Sequence, residues 1–151
     1  MNRQDFYDGK IFDAYKYMGA HKEGDGIRFI TYAPRAEKIS IIGEFNQWQE
    51  EFLTKEDQSG FFSFYSNQAQ VGQMYKYCIY GPGGHMQQHC DPYGFEMELR
   101  PGDCSIICDL SEYEFHDQEW MEGRNDGMEE AVNIYEMHMG SWKMNPEDKN
   151  G

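Results

Sequence analysis

From residue 26 onward the chain alternates short apolar runs with polar turns. Gly26 to Ala33 encloses Ile-Arg-Phe-Ile-Thr-Tyr and is stopped by Pro34, which cannot donate to a ladder. Lys38 to Ile42 alternates Ile39 and Ile41 with Ser40 and reads as a strand half buried on one face. Gln58-Ser59-Gly60 is a turn, and Phe61 to Tyr65 is an aromatic strand after it. Gln73 to Tyr80 puts Tyr75, Tyr77 and Ile79 on one face and Met74, Lys76, Cys78 and Tyr80 on the other. Gly81-Pro82-Gly83-Gly84 turns the chain back into Met86 to Cys90, Asp91-Pro92-Tyr93-Gly94 breaks that run, and Cys104 to Asp109 is one more short strand. Short strands with a turn about every ten residues predict an all-β antiparallel sandwich.

Before these strands, Phe6, Tyr7, Ile11, Ala14, Tyr15 and Met18 fall at helical spacing, so residues 5–18 are expected to form a short helix ended by Gly19. After them, residues 111–130 are acidic and poor in β-branched residues, which predicts a linker with little burial. Ala131 to Trp142 then looks like a strand again. The organisation expected is a helical segment at 1–23, a sandwich at 24–110, a linker at 111–130, and at 131–151 the start of a further domain.

Composition narrows the function. With 13 basic and 27 acidic residues the net charge is −14. Such a chain meets repulsion at nucleic acid or an anionic membrane, whereas a neutral polymer carries no such penalty. Aromatics make up 16% of the residues, enough to fill a core and leave rings for a ligand. Met1 to Lys10 has no apolar signal-peptide region, and no run approaches the roughly 18 apolar residues of a membrane span. The four cysteines form no Cys-x-x-Cys. On a strand Cys104 and Cys108 would stand about 13 Å apart, too far for a disulfide or a shared metal. Reduced thiols in a cytoplasmic protein are the expectation.

One stretch offers a binding feature. In Lys38 to Trp48 a strand ends at Gly43, Asn46 can fix a turn through its own amide, and Trp48 follows at the edge. An indole held this way can stack on the C–H face of a sugar ring. From this stretch alone the commoner reading is a core residue, since tryptophan is highly buried on average.

Four motifs, in order, resemble the N-terminal region of bacterial 1,4-α-glucan branching enzymes. Tyr15-Lys16-Tyr17-Met18-Gly19-Ala20-His21 is similar to the segment that precedes their sandwich. Gly43-Glu44-Phe45-Asn46-Gln47-Trp48 resembles the signature turn of carbohydrate-binding module family 48. Tyr75-Lys76-Tyr77 and Asp91-Pro92-Tyr93-Gly94-Phe95 match later strands of that module. Ile134-Tyr135-Glu136-Met137-His138-Met139-Gly140-Ser141-Trp142 looks like the first barrel strand of a glycoside hydrolase family 13 catalytic domain.

The resemblance implies an immunoglobulin-like antiparallel β-sandwich with a short N-terminal helix. It implies α-glucan as the partner, with Trp48 as sugar platform and Lys76 as hydroxyl donor; Phe45 reads as core and Asn46 as turn former. Glycogen-binding members carry a second Trp after the Lys strand, where this chain has Gly81 to Met86 without one.

The parent enzyme would cut an α-1,4 glucan, hold it as a covalent ester and pass it to a 6-hydroxyl, with no metal or organic cofactor implied. The barrel that does this needs about 250 residues, and 21 follow Glu130. No catalytic residue is therefore assigned; Glu136 and His138 share a strand face without the paired geometry that retention requires. The missing catalytic barrel of the same chain is a second expected partner, and residues 131–142 are expected to pack poorly or to meet a neighbour. The alternative is a free-standing glycogen-binding or regulatory module without enzymatic activity, or a structural sandwich that docks a protein.

Overall fold

A computed structural model describes residues 1–56, 60–124, 131 and 133–138. It is an all-β, immunoglobulin-like sandwich of two antiparallel sheets with few helical turns. The strands are β1 (Gly19–Glu23), β2 (Gly26–Tyr32), β3 (Lys38–Gly43), β4 (Glu51–Phe52), β5 (Thr54–Lys55), β6 (Phe61–Ser66), β7 (Met74–Tyr80), β8 (Met86–His89), β9 (Glu96–Met97) and β10 (Ser105–Ile106). One sheet runs β1-β2-β6-β5. The other runs β4-β3-β7-β10-β9, with β8 also paired to β7.

The core lies between the sheets. Ala20, Ile27 and Phe29 from the first sheet meet Ile39, Ile41, Tyr75 and Tyr77 from the second. Phe29 is the hub: its ring lies 5.5 Å from Phe45, stacked, and 5.1 Å from Tyr75, edge-on. The alternation along β7 thus points Tyr75 and Tyr77 inward as expected. Their hydroxyls need partners once buried. Both donate to Asp91 Oδ2, at 2.8 and 3.2 Å. Asp91 Oδ1 accepts from the Tyr93 amide, and Ser105 Oγ accepts from the Asp91 amide, each at 2.8 Å. Burial pushes the Asp91 carboxyl up and, with the Asp91 charge, pushes both tyrosine hydroxyls well above their usual range.

The helix expected over residues 5–18 is much shorter. It is α1 (Arg3–Tyr7), capped by Asn2, followed by a separate 3-10 turn at Ala14–Lys16. Gly9 ends it, with φ +69° and an amide bond back to the Phe6 carbonyl at 3.1 Å. The apolar residues read as one helical stripe serve another end. Phe6 and Ala14 pack with Met18, Ile30 and Phe61 on the outer side of the first sheet. Gly19–Glu23, assigned to the helical segment from sequence, is edge strand β1, in register with β2. That outer cover explains why β2 is buried on both faces rather than alternating.

The strand expected over Cys104 to Asp109 contracts to β10, and β4, β5 and β9 are two-residue strands that the pattern did not reveal. Of the expected turn Gln58-Ser59-Gly60, Gln58 and Ser59 lie outside the described residues; Gly60 has φ +96°.

The chain divides into two units, Met1–Tyr113 and Glu114–Gly151. In the second, α2 (Gln118–Gly123) forms within the expected linker, and its described residues are exposed. A strand requires a hydrogen-bonded neighbour, and neither sheet includes residue 131 or residues 133–138. These residues are exposed, Ile134 at 88%. Met139 to Trp142, the rest of the expected strand, lies outside the described residues.

Candidate functional site: the β3–β4 turn and β7

The turn after β3 is fastened at several points. Gly43 is required here, because a Cβ would stand 2.7 Å from the Met74 carbonyl oxygen and from the Phe45 ring. A 3-10 turn covers Glu44–Asn46. Phe45 is driven into the core against Phe29. Asn46 forms the turn as its short amide allows: Oδ1 accepts from the Gly43 amide at 2.8 Å, and Nδ2 donates to the Ile41 carbonyl and to Glu51 Oε2, both at 3.1 Å. Glu44 Oε2 accepts the Met74 amide at 2.8 Å and ties the turn to β7.

Gln47 and Trp48 follow with φ of 56° and 59°. A left-handed backbone costs a residue with a side chain roughly 1–2 kcal/mol, and for an aromatic residue it is a genuine outlier. The Trp48 amide is nevertheless held at 2.8 Å by the Gly43 carbonyl. The indole is 41% exposed. Trp48 therefore stands on a fastened backbone with its ring partly open to solvent, and is not a core residue.

Lys76 sits on β7, in register with Ile42 of β3, on the face away from Tyr75 and Tyr77. Its ammonium pairs with Asp103, and its side chain is 14% exposed against 76% for Asp103. The Asp103 hydrogen bond raises the Lys76 pKa. Lys76 is thus a held cation rather than a freely solvated one. Glu98, Asp103 and Cys104 place one ligand atom each within 4.8 Å of one another, and the cation that this cluster meets is Lys76. Lys76 is on β7, and Trp48 is in the turn that follows β3 at the same end of the two strands, since Gly43 pairs with Tyr75. Asp103 escaped sequence reading, and Asp91 was read only as part of a turn motif, not as the buried acceptor of two tyrosines. The two inward tyrosines were the available signal for a buried acceptor; nothing local marked Asp103.

Open grooves of about 500 and 680 Å³ lie elsewhere, one lined by Tyr15, His21 and Phe95, the other by Ile79, His85 and Gln87. None of the four cysteines is in a disulfide, and burial raises the pKa of Cys78 and Cys104. Among the described residues no helix is long and apolar enough to cross a membrane.

Residues 17–94, from the turn before β1 to the Asp-Pro-Tyr-Gly break, match the family profile of carbohydrate-binding module 48 (isoamylase N-terminal domain). The chain belongs to the carbohydrate-binding module 48 family. Its turn at Gly43 to Trp48 and its Lys76 strand both fall inside the matched span.

A 1,4-alpha-glucan branching enzyme of Clostridium perfringens is 35% identical over 95% of this chain. One from Francisella philomiragia is 38% identical over 91%. The chain spans only 23% of the length of each. Among solved structures, Anoxybacillus pullulanase complexed with maltotetraose superposes on 74% of the chain with TM-score 0.58 at 19% identity, covering 16% of that protein. A Klebsiella pneumoniae pullulanase superposes on 66% with TM-score 0.55 at 20% identity, covering 10% of it. At such identity these structures establish the module's fold alone.

Proposed function

We propose that this chain is the N-terminal glucan-binding and scaffold module of a cytoplasmic 1,4-α-glucan branching enzyme of glycogen biosynthesis. The whole enzyme would cut an α-1,4 glucan and transfer the segment to a 6-hydroxyl by a retaining double displacement. That chemistry belongs to a catalytic barrel beyond these residues, against which the module would pack. The identity to branching enzymes along 91–95% of the chain supports this parentage. Four cysteines outside any disulfide fit a reducing compartment.

The observation that carries the binding role is Trp48, an exposed indole on a left-handed backbone that Asn46 and Phe45 lock in place. Its ring offers a flat apolar face to the C–H side of a glucose unit. Lys76 has three donor protons. Asp103 orients the ammonium, and the remaining protons serve sugar hydroxyls.

The test is a titration of the chain with maltoheptaose, followed by tryptophan fluorescence, beside Trp48→Ala. Saturable binding that the substitution abolishes is expected. No binding at millimolar sugar, with the fold intact, would overturn the binding role and leave a scaffold.

A further inference from the structure

The outer face of the second sheet carries a polar and aromatic cluster that the Trp48–Lys76 site does not use. Residues alternate along β3 and β7, so with Ile39, Ile41, Tyr75 and Tyr77 in the core, Lys38, Ser40, Cys78 and Tyr80 lie on the outer face, where Ser40 and Cys78 are covered and Lys38 and Tyr80 lie at the surface. Phe52 of β4 pairs with Ser40 and joins the same face, 52% exposed. The Phe52 and Tyr80 rings lie 6.2 Å apart at 40°. The Lys38 ammonium stands over both, 4.7 Å from Phe52 and 4.3 Å from Tyr80.

Glu50 completes the group. Its Oε2 accepts from Ser40 Oγ at 2.6 Å and from Tyr80 Oη at 2.7 Å. Those bonds hold the carboxyl below its usual range and push the Tyr80 hydroxyl up to about 12. Both use Oε2, so Oε1 remains to accept a ligand's hydroxyl.

We propose that Phe52, Tyr80, Lys38 and Glu50 form a second contact station for a linear α-1,4 glucan, which runs from the Trp48 turn along the outer face of β7. This rests on the glucan-binding role proposed for Trp48. Three features select this occupant. Rings and paired hydrogen-bonding groups together match an uncharged, hydroxylated chain. Lys38 and Glu50 offset each other's charge, so the station favours neither cations nor anions. It is also continuous with the turn: Glu50 and Phe52 follow Trp48 on the same connection. Tyr80 lies four positions along β7 from Lys76, about 13 Å of strand, so a glucan that engages both ends fully must be several glucose units long.

Calorimetric titration of the full chain with maltotriose and maltoheptaose decides the matter. Wild type should prefer the longer sugar, and Phe52→Ala should lower the maltoheptaose-to-maltotriose affinity ratio about fivefold, or about 1 kcal/mol. The Phe52 and Tyr80 ring resonances should shift with maltoheptaose and stay put with maltotriose. If both sugars bind through Trp48 but Phe52→Ala leaves the ratio unchanged and the rings do not respond, the second station is refuted and the module role stands. If neither sugar binds, both fall.

Discussion

Replacing Asn46 by alanine removes three hydrogen bonds at once: one accepted from the Gly43 amide and two donated, to the Ile41 carbonyl and to Glu51. A net bond is worth about 1 kcal/mol, and a buried donor left alone costs about 1–3 kcal/mol. Gly43 is buried, so its amide belongs to the second case. The Glu51 bond is exposed and contributes little. Against this, a loosened turn lets Gln47 and Trp48 leave their left-handed backbone and recovers part of the strain. The balance is a loss of about 2 kcal/mol, a fall in Tm of about 8 °C for a unit of this size.

Binding should suffer separately, because only the ordered turn presents Trp48, and apparent affinity scales with the fraction of molecules in the competent state. Thermal unfolding followed by circular dichroism, and maltoheptaose titration well below the lowered Tm, measure the two effects. A fall in Tm of less than about 2 °C with unaltered affinity would refute the account of Asn46 as the fastening of the Trp48 platform.

Two further outcomes follow from the core and the N-terminal edge. Tyr75 and Tyr77 have hydroxyl pKa values raised by burial and by Asp91; their folded values exceed the unfolded one of about 10. Their contribution is therefore complete below pH 10 and is lost as pH rises above it, at up to about 1.4 kcal/mol per pH unit for each. Urea midpoints should fall steeply between pH 10 and 11.5, and less steeply in Tyr77→Phe; equal slopes would count against a buried pair. Gly19 has φ +97° and a Cβ there would meet the Tyr93 carbonyl oxygen at 2.7 Å, whereas Gly9 at φ +69° has open space. Gly19→Ala should cost about 3 kcal/mol and Gly9→Ala about 1 kcal/mol by denaturant unfolding; similar costs would show that the close approach to Tyr93 is not a constraint.

The strands legible in sequence were those long enough to show a period. β2, β3, β6 and β7 hold six or seven residues each, and alternation identified the inward Tyr75 and Tyr77. Two-residue strands such as β4 and β5 contain no period to read. The N-terminal segment misled for a different reason. Phe6, Ala14 and Met18 share a burial site because a sheet surface collects them, not because one helix aligns them. Gly9 breaks the helix where spacing alone suggested continuity. At the site, the Gly43–Trp48 turn was legible because its chemistry is local: the asparagine bonds within five residues. The Lys76–Asp103 pair spans 27 positions, so only the folded chain reveals it.

Local and long-range devices also differ in what they do for the fold. Lys76 gains an ion pair, so its position is intelligible without a ligand. Trp48 is the reverse case. Its backbone is strained by roughly 1–2 kcal/mol, and it leaves 41% of a large apolar side chain in water. Phe45 already anchors the turn to the core, and Asn46 already closes it. The buried part of the ring helps to offset that strain, but a glycine would take the same backbone without strain, so the exposed part of the ring is not needed to hold the turn. In the glucan-binding role proposed for Trp48, a bound sugar would cover the part of the ring that the fold leaves in water. The net charge of −14 makes a polyanion a poor cover. A glucan chain would supply an apolar face without charge, and in the proposed mode the neighbouring surface, with Lys76 at one end and Glu50 and Tyr80 at the other, would supply donors and acceptors for its hydroxyls.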